Sequence, residues 1–173
     1  FKDYEPGSIH IDIKYLLQIP DETTHGYLFV AIDRATRWVF MHIYGDMTDK
    51  SSVDFLRRLK LVSSIKISRI LTDNGLQFID RFATKDKKPS RQHTFDVACS
   101  ALPAEHRLAP QRYPQTNGMV ERFNGPINEL LQQTRFDCRD DLQTTLMNYL
   151  KLHNHHIPQR ALDAKTPVLA LKE

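Results

Sequence analysis

Three acidic residues stand at positions where a carboxylate could perform chemistry. Asp12 lies in the middle of an alternating segment, Asp73 precedes a tight turn, and Glu121 lies near the start of a helical pattern. Strand interiors are poor in Asp, and an ionised carboxylate on a covered face is costly without a neutralising partner. Carboxylates that converge at one end of a sheet offer the oxygen ligands that suit Mg²⁺ or Mn²⁺. Such ions support in-line phosphoryl displacement.

Each acid also has a structural interpretation. Asp73 can form the turn that continues through Asn74 and Gly75. Asp12 can face water from an exposed side of a sheet, and Glu121 can be an ordinary surface residue of a helix. One metal site accounts for all three acids at once, but their spacing alone does not decide between these alternatives.

A sheet and a helix are needed to bring these acids together. The segment SIHIDIKYL alternates strictly, with isoleucines on one face, and predicts a strand. GYLFVAID and RWVFMHIY predict an antiparallel hairpin that turns at 33–36. IKISRILTDNG and EHRLAP predict two more strands. Helices are predicted for MTDKSSVDFLRRLKLV, FDVACSAL, PQTNGMVERFNG and a last segment from about Asp140, whereas 79–93 is predicted to be largely a loop.

The resulting order, β-β-β-α-β-α-β-α-α, predicts one domain over 1–173 with a mixed sheet covered by helices. Thr48 is the predicted N-cap of the first helix, and Thr116 or Asn117 that of the helix containing Glu121. The predicted buried stripe of the first helix is Phe55, Leu56, Leu59 and Val62.

Composition sets further limits. The chain has 173 residues, a net charge of +3 and nine prolines, a mild basic bias that is compatible with nucleic acid but does not establish it. No apolar run approaches the ~20 residues of a membrane span. Cys99 and Cys138 make no disulfide framework, which suits a reducing compartment. Because the chain begins with Phe1, we expect a piece of a longer protein.

Several motifs together resemble the catalytic core of DDE transposases and retroviral-type integrases, particularly bacterial insertion-sequence transposases. They are HIDIKYL, AIDRATR, LTDNGLQF, HRLAPQRYPQTNGMVERFNG and the PQRAL…TP tail. The resemblance implies a ribonuclease-H-like α/β fold, with a five-stranded mixed sheet (an antiparallel meander plus two parallel strands) flanked by helices. It also implies that Asp12, Asp73 and Glu121 form a metal-binding triad for Mg²⁺ or Mn²⁺, with two ions when DNA is bound.

The activity implied by the resemblance is hydrolytic nicking at mobile-element ends, followed by attack of the freed 3′-hydroxyl on target DNA. The implied partners are element-end and target DNA and further copies of the chain, at least a dimer on DNA, in the bacterial cytoplasm and away from membranes. Two alternatives remain: a nuclease of the same fold without joining activity, and a domesticated DNA-binding module. The intact triad argues against the second.

DNA contacts are predicted around the acids. Asn117, Asn124 and Asn128 share a helical face with Glu121 and can reach phosphate or sugar. Gly118 and Gly125 are interpreted as making room for DNA backbone or the sheet, with helix packing as the alternative. Further candidates are basic residues that have surface charge as their alternative interpretation: Lys14, which shares a strand face with Asp12, Arg37 beside the hairpin turn, and Lys85, Lys87, Lys88, Arg91 and Arg112.

Two conspicuous motifs are predicted to be structural. HNHH at 153–156 suggests a metal cluster, but no Cys or carboxylate stands at a convincing ligand spacing. Trp38 and the aromatic residues of the hairpin could stack on bases, yet they alternate as in a packed strand.

Overall fold

A five-stranded mixed sheet forms the centre of the molecule. The computed structural model describes residues 4–20, 22–80, 89–109 and 114–172, with the backbone alone at 114–117. The strands are β1 (Ser8–Tyr15), β2 (Tyr27–Asp33), β3 (Val39–Tyr44), β4 (Arg69–Thr72) and β5 (Glu105–Leu108), in the spatial order β3-β2-β1-β4-β5. The first three form an antiparallel meander, and β4 and β5 run parallel to β1. The predicted fold class is confirmed.

Within the described residues, five helices flank this sheet. They are α1 (Asp49–Val62), α2 (Thr94–Ala101), α3 (Pro114–Gln133), α4 (Arg139–His155) and α5 (Pro167–Leu171), with a 3₁₀ turn at Arg160–Leu162 before α5. Thr48 caps α1 as predicted, because its side chain accepts a hydrogen bond from the Ser51 N–H. The 3₁₀ turn and α5 were not predicted, since both are too short to show a hydrophobic period.

The two faces of the sheet carry separate hydrophobic cores. Ile9 and Ile11 of β1 pack with Phe55 of α1 and Phe95 of α2 on one face. Val30 and Met41 of the hairpin pack with α3 and α4 on the other. Since side chains alternate along β1, the residues between the isoleucines point to the α3 and α4 side.

Two local predictions are wrong. Val62 was placed in the buried stripe of α1 but is 52% exposed, because it is the last residue of the helix and lies beyond the packed part of the stripe. Thr116 and Asn117 were predicted caps of the third helix, but α3 begins at Pro114. Proline is favoured in the first helical turn, where its missing N–H would have no partner.

Other predictions concern the hairpin and the 79–93 segment. Trp38 packs against the core between the sheet and α1, which confirms its structural interpretation. Of the predicted loop, 81–88 lies outside the described residues, and Ser90 donates hydrogen bonds to the Asp80 carboxylate. None of the helices in the described ranges is long and apolar enough to cross a membrane.

Candidate active site

Asp12 lies on β1, and Asp73 directly follows the last residue of the neighbouring parallel strand β4. In the pairing of β1 with β4, His10 lies opposite Leu71. Asp12 and Asp73 each follow two residues later, at the same end of the sheet, and the alternation of β1 points Asp12 to the same face as His10. This is the face that α3 and α4 cover, and Asp12 is accordingly half-buried. The interpretation of Asp12 as a residue on a bare sheet face is therefore wrong.

Helix α3 brings Glu121 to the same place. Asn124 donates a hydrogen bond from Nδ2 to Oδ2 of Asp12 at 3.2 Å, and Glu121 lies one helical turn earlier on that face. Both residues line, with Asp12, Lys14 and Asn128, a cleft of about 410 Å³ that we call the acidic cleft. Two predicted acids and two predicted amides thus border one cleft, and the Glu121 side chain is exposed to solvent there.

Burial and charge raise the pKa of Asp12 above its usual value. The largest cause is burial, which disfavours the ionised form, and the second is repulsion from the Asp73 carboxylate. Hydrogen bonds from the Ile13 backbone and from Asn124, and the charge of Lys14, act in the opposite direction. The two carboxylates therefore lie within electrostatic reach of each other.

Asp73 is fixed by its own turn and by a buried network behind it. Its Oδ1 accepts a hydrogen bond from the Gly75 N–H at 2.9 Å, so the predicted turn-forming role is present. The preceding Thr72 hydroxyl lies 3.0 Å from the Asp73 carbonyl oxygen and 2.8 Å from Nε2 of His106. Nδ1 of His106 contacts Oδ1 of Asp96 at 2.6 Å, and all three side chains of this network are buried.

Sequence reasoning missed this network. His106 and Asp96 lie on β5 and α2, ten residues apart. His106 opens the HRLAPQRYPQTNGMVERFNG motif, but Asp96 stands in none of the motifs of the resemblance. The available signal was a polar residue in a strand that must be buried to complete the sheet. Such a residue needs a hydrogen-bond partner. One partner of His106 is the Thr72 hydroxyl, which also contacts the Asp73 carbonyl oxygen.

The donor atoms of the acidic cleft fit a hard divalent cation. Asp12 and Glu121 offer carboxylate oxygens, and Oδ1 of Asn124 is buried without a hydrogen-bond partner beside Asp12. Oxygen-only donors are the ligands that Mg²⁺ and Mn²⁺ prefer. Within the described ranges, however, no three His, Cys, Asp or Glu side chains are grouped closely enough to hold a metal ion. The cleft therefore contains two of the three predicted acids, Asp12 and Glu121, and Asp73 is not among its lining residues.

The predicted DNA-contact residues separate into groups. Lys14 and Asn128 meet at the acidic cleft, where the Lys14 ammonium donates to Oδ1 of Asn128. Arg37 is not brought to this cleft; its guanidinium donates to the sulfur of Met119 on another side of α3. Arg91 donates to the backbone carbonyl of His106. The remaining candidates lie outside the described residues: Lys85, Lys87, Lys88, Arg112 and the side chain of Asn117.

The two glycines of α3 lie beside open space. A Cβ atom built on Gly118 or Gly125 meets no heavy atom of the described chain within 4 Å. Helix packing within the described residues therefore does not require either glycine, and the alternative based on packing alone loses its support.

Two residues of the HNHH segment, His153 and Asn154, have structural roles. His153 is buried, with Nε2 3.1 Å from the Arg37 carbonyl oxygen and its ring against Phe123. Asn154 joins α4 to the edge strand β3, accepting from the Val39 N–H at 3.0 Å and donating to the Val39 carbonyl at 2.8 Å. Two of the four polar residues thus satisfy backbone groups of the β2–β3 hairpin.

Known families and folds agree with this arrangement. The family described as Integrase core domain matches residues 104–167, which include Glu121 and the segment before it. A putative integrase of Spiroplasma virus SpV1-C74 is 26% identical over 171 residues, covering 96% of the chain and 44% of that relative. The chain spans less than half the length of the curated relatives it matches.

Two solved structures share the fold. The catalytic core domain of BIV integrase superposes with a TM-score of 0.71 at 17% identity, covering 96% of this chain and 94% of that one. An HTLV-2 integrase catalytic core domain in complex with magnesium gives 0.68 at 20% identity, covering 98% and 99%. The resemblance predicted from the motifs is confirmed: the matches support an integrase or transposase catalytic core with a ribonuclease-H-like fold.

Proposed function

We propose that the chain is the catalytic core of a metal-dependent DNA strand transferase that nicks mobile-element ends and joins them to target DNA. The main support is the meeting of strand ends and helix: Asp12 and Asp73 lie at the same end of two neighbouring strands, and Glu121 borders the cleft that contains Asp12. The family match and the relative named an integrase support the broader class, an enzyme of DNA integration or transposition.

The proposed cofactor is Mg²⁺ or Mn²⁺, with two ions when DNA is bound, held by Asp12, Asp73 and Glu121. When bound, these ions would activate the attacking water or 3′-hydroxyl and stabilise the leaving oxygen. The magnesium in the similar HTLV-2 core supports this choice of cation. No side chain at the cleft needs to serve as a covalent nucleophile in this reaction.

The remaining groups of the cleft would orient the acids and the DNA. Asn124 orients the Asp12 carboxylate by its hydrogen bond to Oδ2. Lys14 supplies a positive charge beside Asp12, where a phosphate would approach. The open space at Gly118 and Gly125 lets a DNA backbone come close to α3. Two chains on two DNA ends form the proposed assembly, which agrees with the intasome and oligomeric cores among the similar structures.

The deciding experiment uses the full-length protein and the labelled ends of the element that encodes it. Nicked and joined products are scored with Mg²⁺, with Mn²⁺ and with chelator. Glu121→Gln tests the site, and Glu129→Gln, an exposed residue of the same helix, is the matched control. Nicks and joined products that require metal and Glu121 support the proposal. Nicks without joining indicate a nuclease, and binding without either product indicates a DNA-binding module.

A further inference from the structure

A second cavity lies beside α3, separate from the acidic cleft. It has a volume of about 400 Å³ and lies between α3, the end of α4, the β2–β3 turn and the 3₁₀ turn. Arg37, Arg122 and Arg160 line it together with the apolar side chains of Phe123, Tyr149 and Ile157. We call it the arginine cavity. Glu121 and Arg122 are consecutive in sequence, yet they open onto different cavities.

The three guanidinium groups carry charge that the described protein does not neutralise. None of them forms an ion pair with a described carboxylate. Burial and the nearby charges of Arg122 and Arg34 lower the pKa of Arg37, and the more weakly interacting Asp33 only partly offsets them. Arg37 is half-buried and is repelled by Arg122 at this cavity, and a bound anion would relieve that repulsion.

Arg37 also has an unusual backbone conformation. Its φ of 62° lies in the left-handed region, which favours glycine and is strained for a long side chain. A glycine would satisfy this turn at lower cost. The Arg37 carbonyl oxygen is held by His153, so the strained turn is anchored to the cavity wall. Strain that persists next to a cavity is typical of a ligand-contacting position.

We propose that the arginine cavity binds one nucleotide of an unpaired DNA strand, with its phosphate at the arginines and its base against the apolar wall. The inference rests on the proposed function, because it takes DNA as the ligand. Cationic grooves combined with aromatic side chains recognise single strands, since every unstacked base offers a flat apolar surface. A duplex presents its phosphates and sugars outward and would leave the wall formed by Phe123 and Tyr149 unused.

The test compares binding of a fluorescent oligothymidylate with binding of a duplex of the same length, in chelator so that no cleavage occurs. Arg122→Gln combined with Arg160→Gln changes two exposed residues of the cavity. We expect about tenfold weaker binding of the single strand, a log–log salt slope smaller by about 1.4, and a much smaller effect on the duplex. Arg57→Gln combined with Lys60→Gln removes the same charge from exposed positions of α1 and should bind both DNAs as the parent does.

Two further variants separate the contributions of charge, shape and fold. Arg37→Gly suits the left-handed turn, so it should keep the parent melting temperature while losing single-strand affinity. Ala161→Leu adds three carbon atoms at the lining of the cavity without changing charge and should weaken binding of the single strand selectively. Unchanged single-strand binding in Ala161→Leu, or equal losses for duplex and single strand in the arginine variants, overturns the proposal. Displacement of oligothymidylate by polyglutamate at equal charge concentration also overturns it, because the site would then be a general anion site.

Failure of this inference can be told apart from failure of the proposed function. A parent protein that nicks element ends, but whose cavity variants bind single strands normally, refutes the arginine cavity alone. A parent that binds single strands through the cavity but gives no metal-dependent product refutes strand transfer and leaves the nucleotide site standing.

Discussion

The two cavities beside α3 are nearly equal in size and opposite in charge. The acidic cleft encloses about 410 Å³ and the arginine cavity about 400 Å³. In the cleft, Asp12 has an amide and an ammonium group as neighbours. In the cavity, the guanidinium groups of Arg37, Arg122 and Arg160 have no described ion-pair partner. One helix thus borders a site suited to cations and a site suited to anions.

The largest predicted effect concerns the acidic cleft alone. Replacing Glu121 by Gln keeps the shape of the side chain but removes a charged ligand. Metal-dependent stabilisation of the transition state is worth several kcal/mol, so nicking and joining should fall by roughly 10³-fold. DNA binding in chelator should change little. Glu129→Gln should keep the parent rates in the same product assay, and a comparable loss there would remove the distinction between the two acids.

A second prediction tests the attachment of α4 to the β2–β3 hairpin, whose turn borders the arginine cavity. Asn154→Ala removes both hydrogen bonds to Val39 of the edge strand β3. Leaving buried backbone groups without partners should lower the free energy of unfolding by about 2 kcal/mol, measured by urea titration. Asn148→Ala, on an exposed position of α4, should lie within about 0.5 kcal/mol of the parent. If both variants were equally stable, Asn154 would not anchor the hairpin.

A third prediction concerns how much the ionised Asp12 carboxylate destabilises the folded state. Burial and Asp73 raise the pKa of Asp12, so its ionised form destabilises the folded state, and this cost grows as pH rises through the folded pKa. Asp12→Asn should therefore be more stable than the parent in chelator at pH 7, by about 1 kcal/mol. The difference should vanish at acidic pH, where the parent is protonated.

Adding metal should favour the parent over the variant. Mg²⁺ should raise the melting temperature of the parent more than that of Asp12→Asn, because only the parent retains the full set of carboxylate ligands. A variant that melts lower than the parent in chelator at pH 7 would show that the Asp12 carboxylate is a structural group. The contrast between a cation-binding cleft and an anion-binding cavity would then fail.

The smallest predicted effect is the pH dependence that His153 contributes. Burial lowers the pKa of His153, against the opposing hydrogen bond to the Arg37 carbonyl. Its contribution to stability is complete above the unfolded pKa of about 6.5 and is lost as pH falls. Thermal melts of His153→Gln should therefore depend less on pH between neutral and mildly acidic conditions than those of the parent. His155→Gln, at an exposed position, should follow the parent.

Much of the fold could be predicted because its signals are local. Strict alternation marks β1, the Asp73–Gly75 turn ends β4, and Thr48 caps α1. These patterns depend on backbone geometry and on burial of one face, both of which act within a few residues. The errors at Val62 and at the start of α3 lie at helix ends, where local periodicity does not say how far the neighbouring core extends.

The sequence by itself determined the order of elements, the resemblance to integrase cores and the choice of Asp12, Asp73 and Glu121 as candidate residues. Only the tertiary structure decided which side chains meet. In it, Asn124 contacts Asp12, and Asp96 and His106 connect through Thr72 to the Asp73 carbonyl oxygen. Arg37 lines a second cavity instead of the acidic cleft. The physical reason is that these contacts join distant segments, and their geometry depends on strand register and on the rotation of α3 over the sheet.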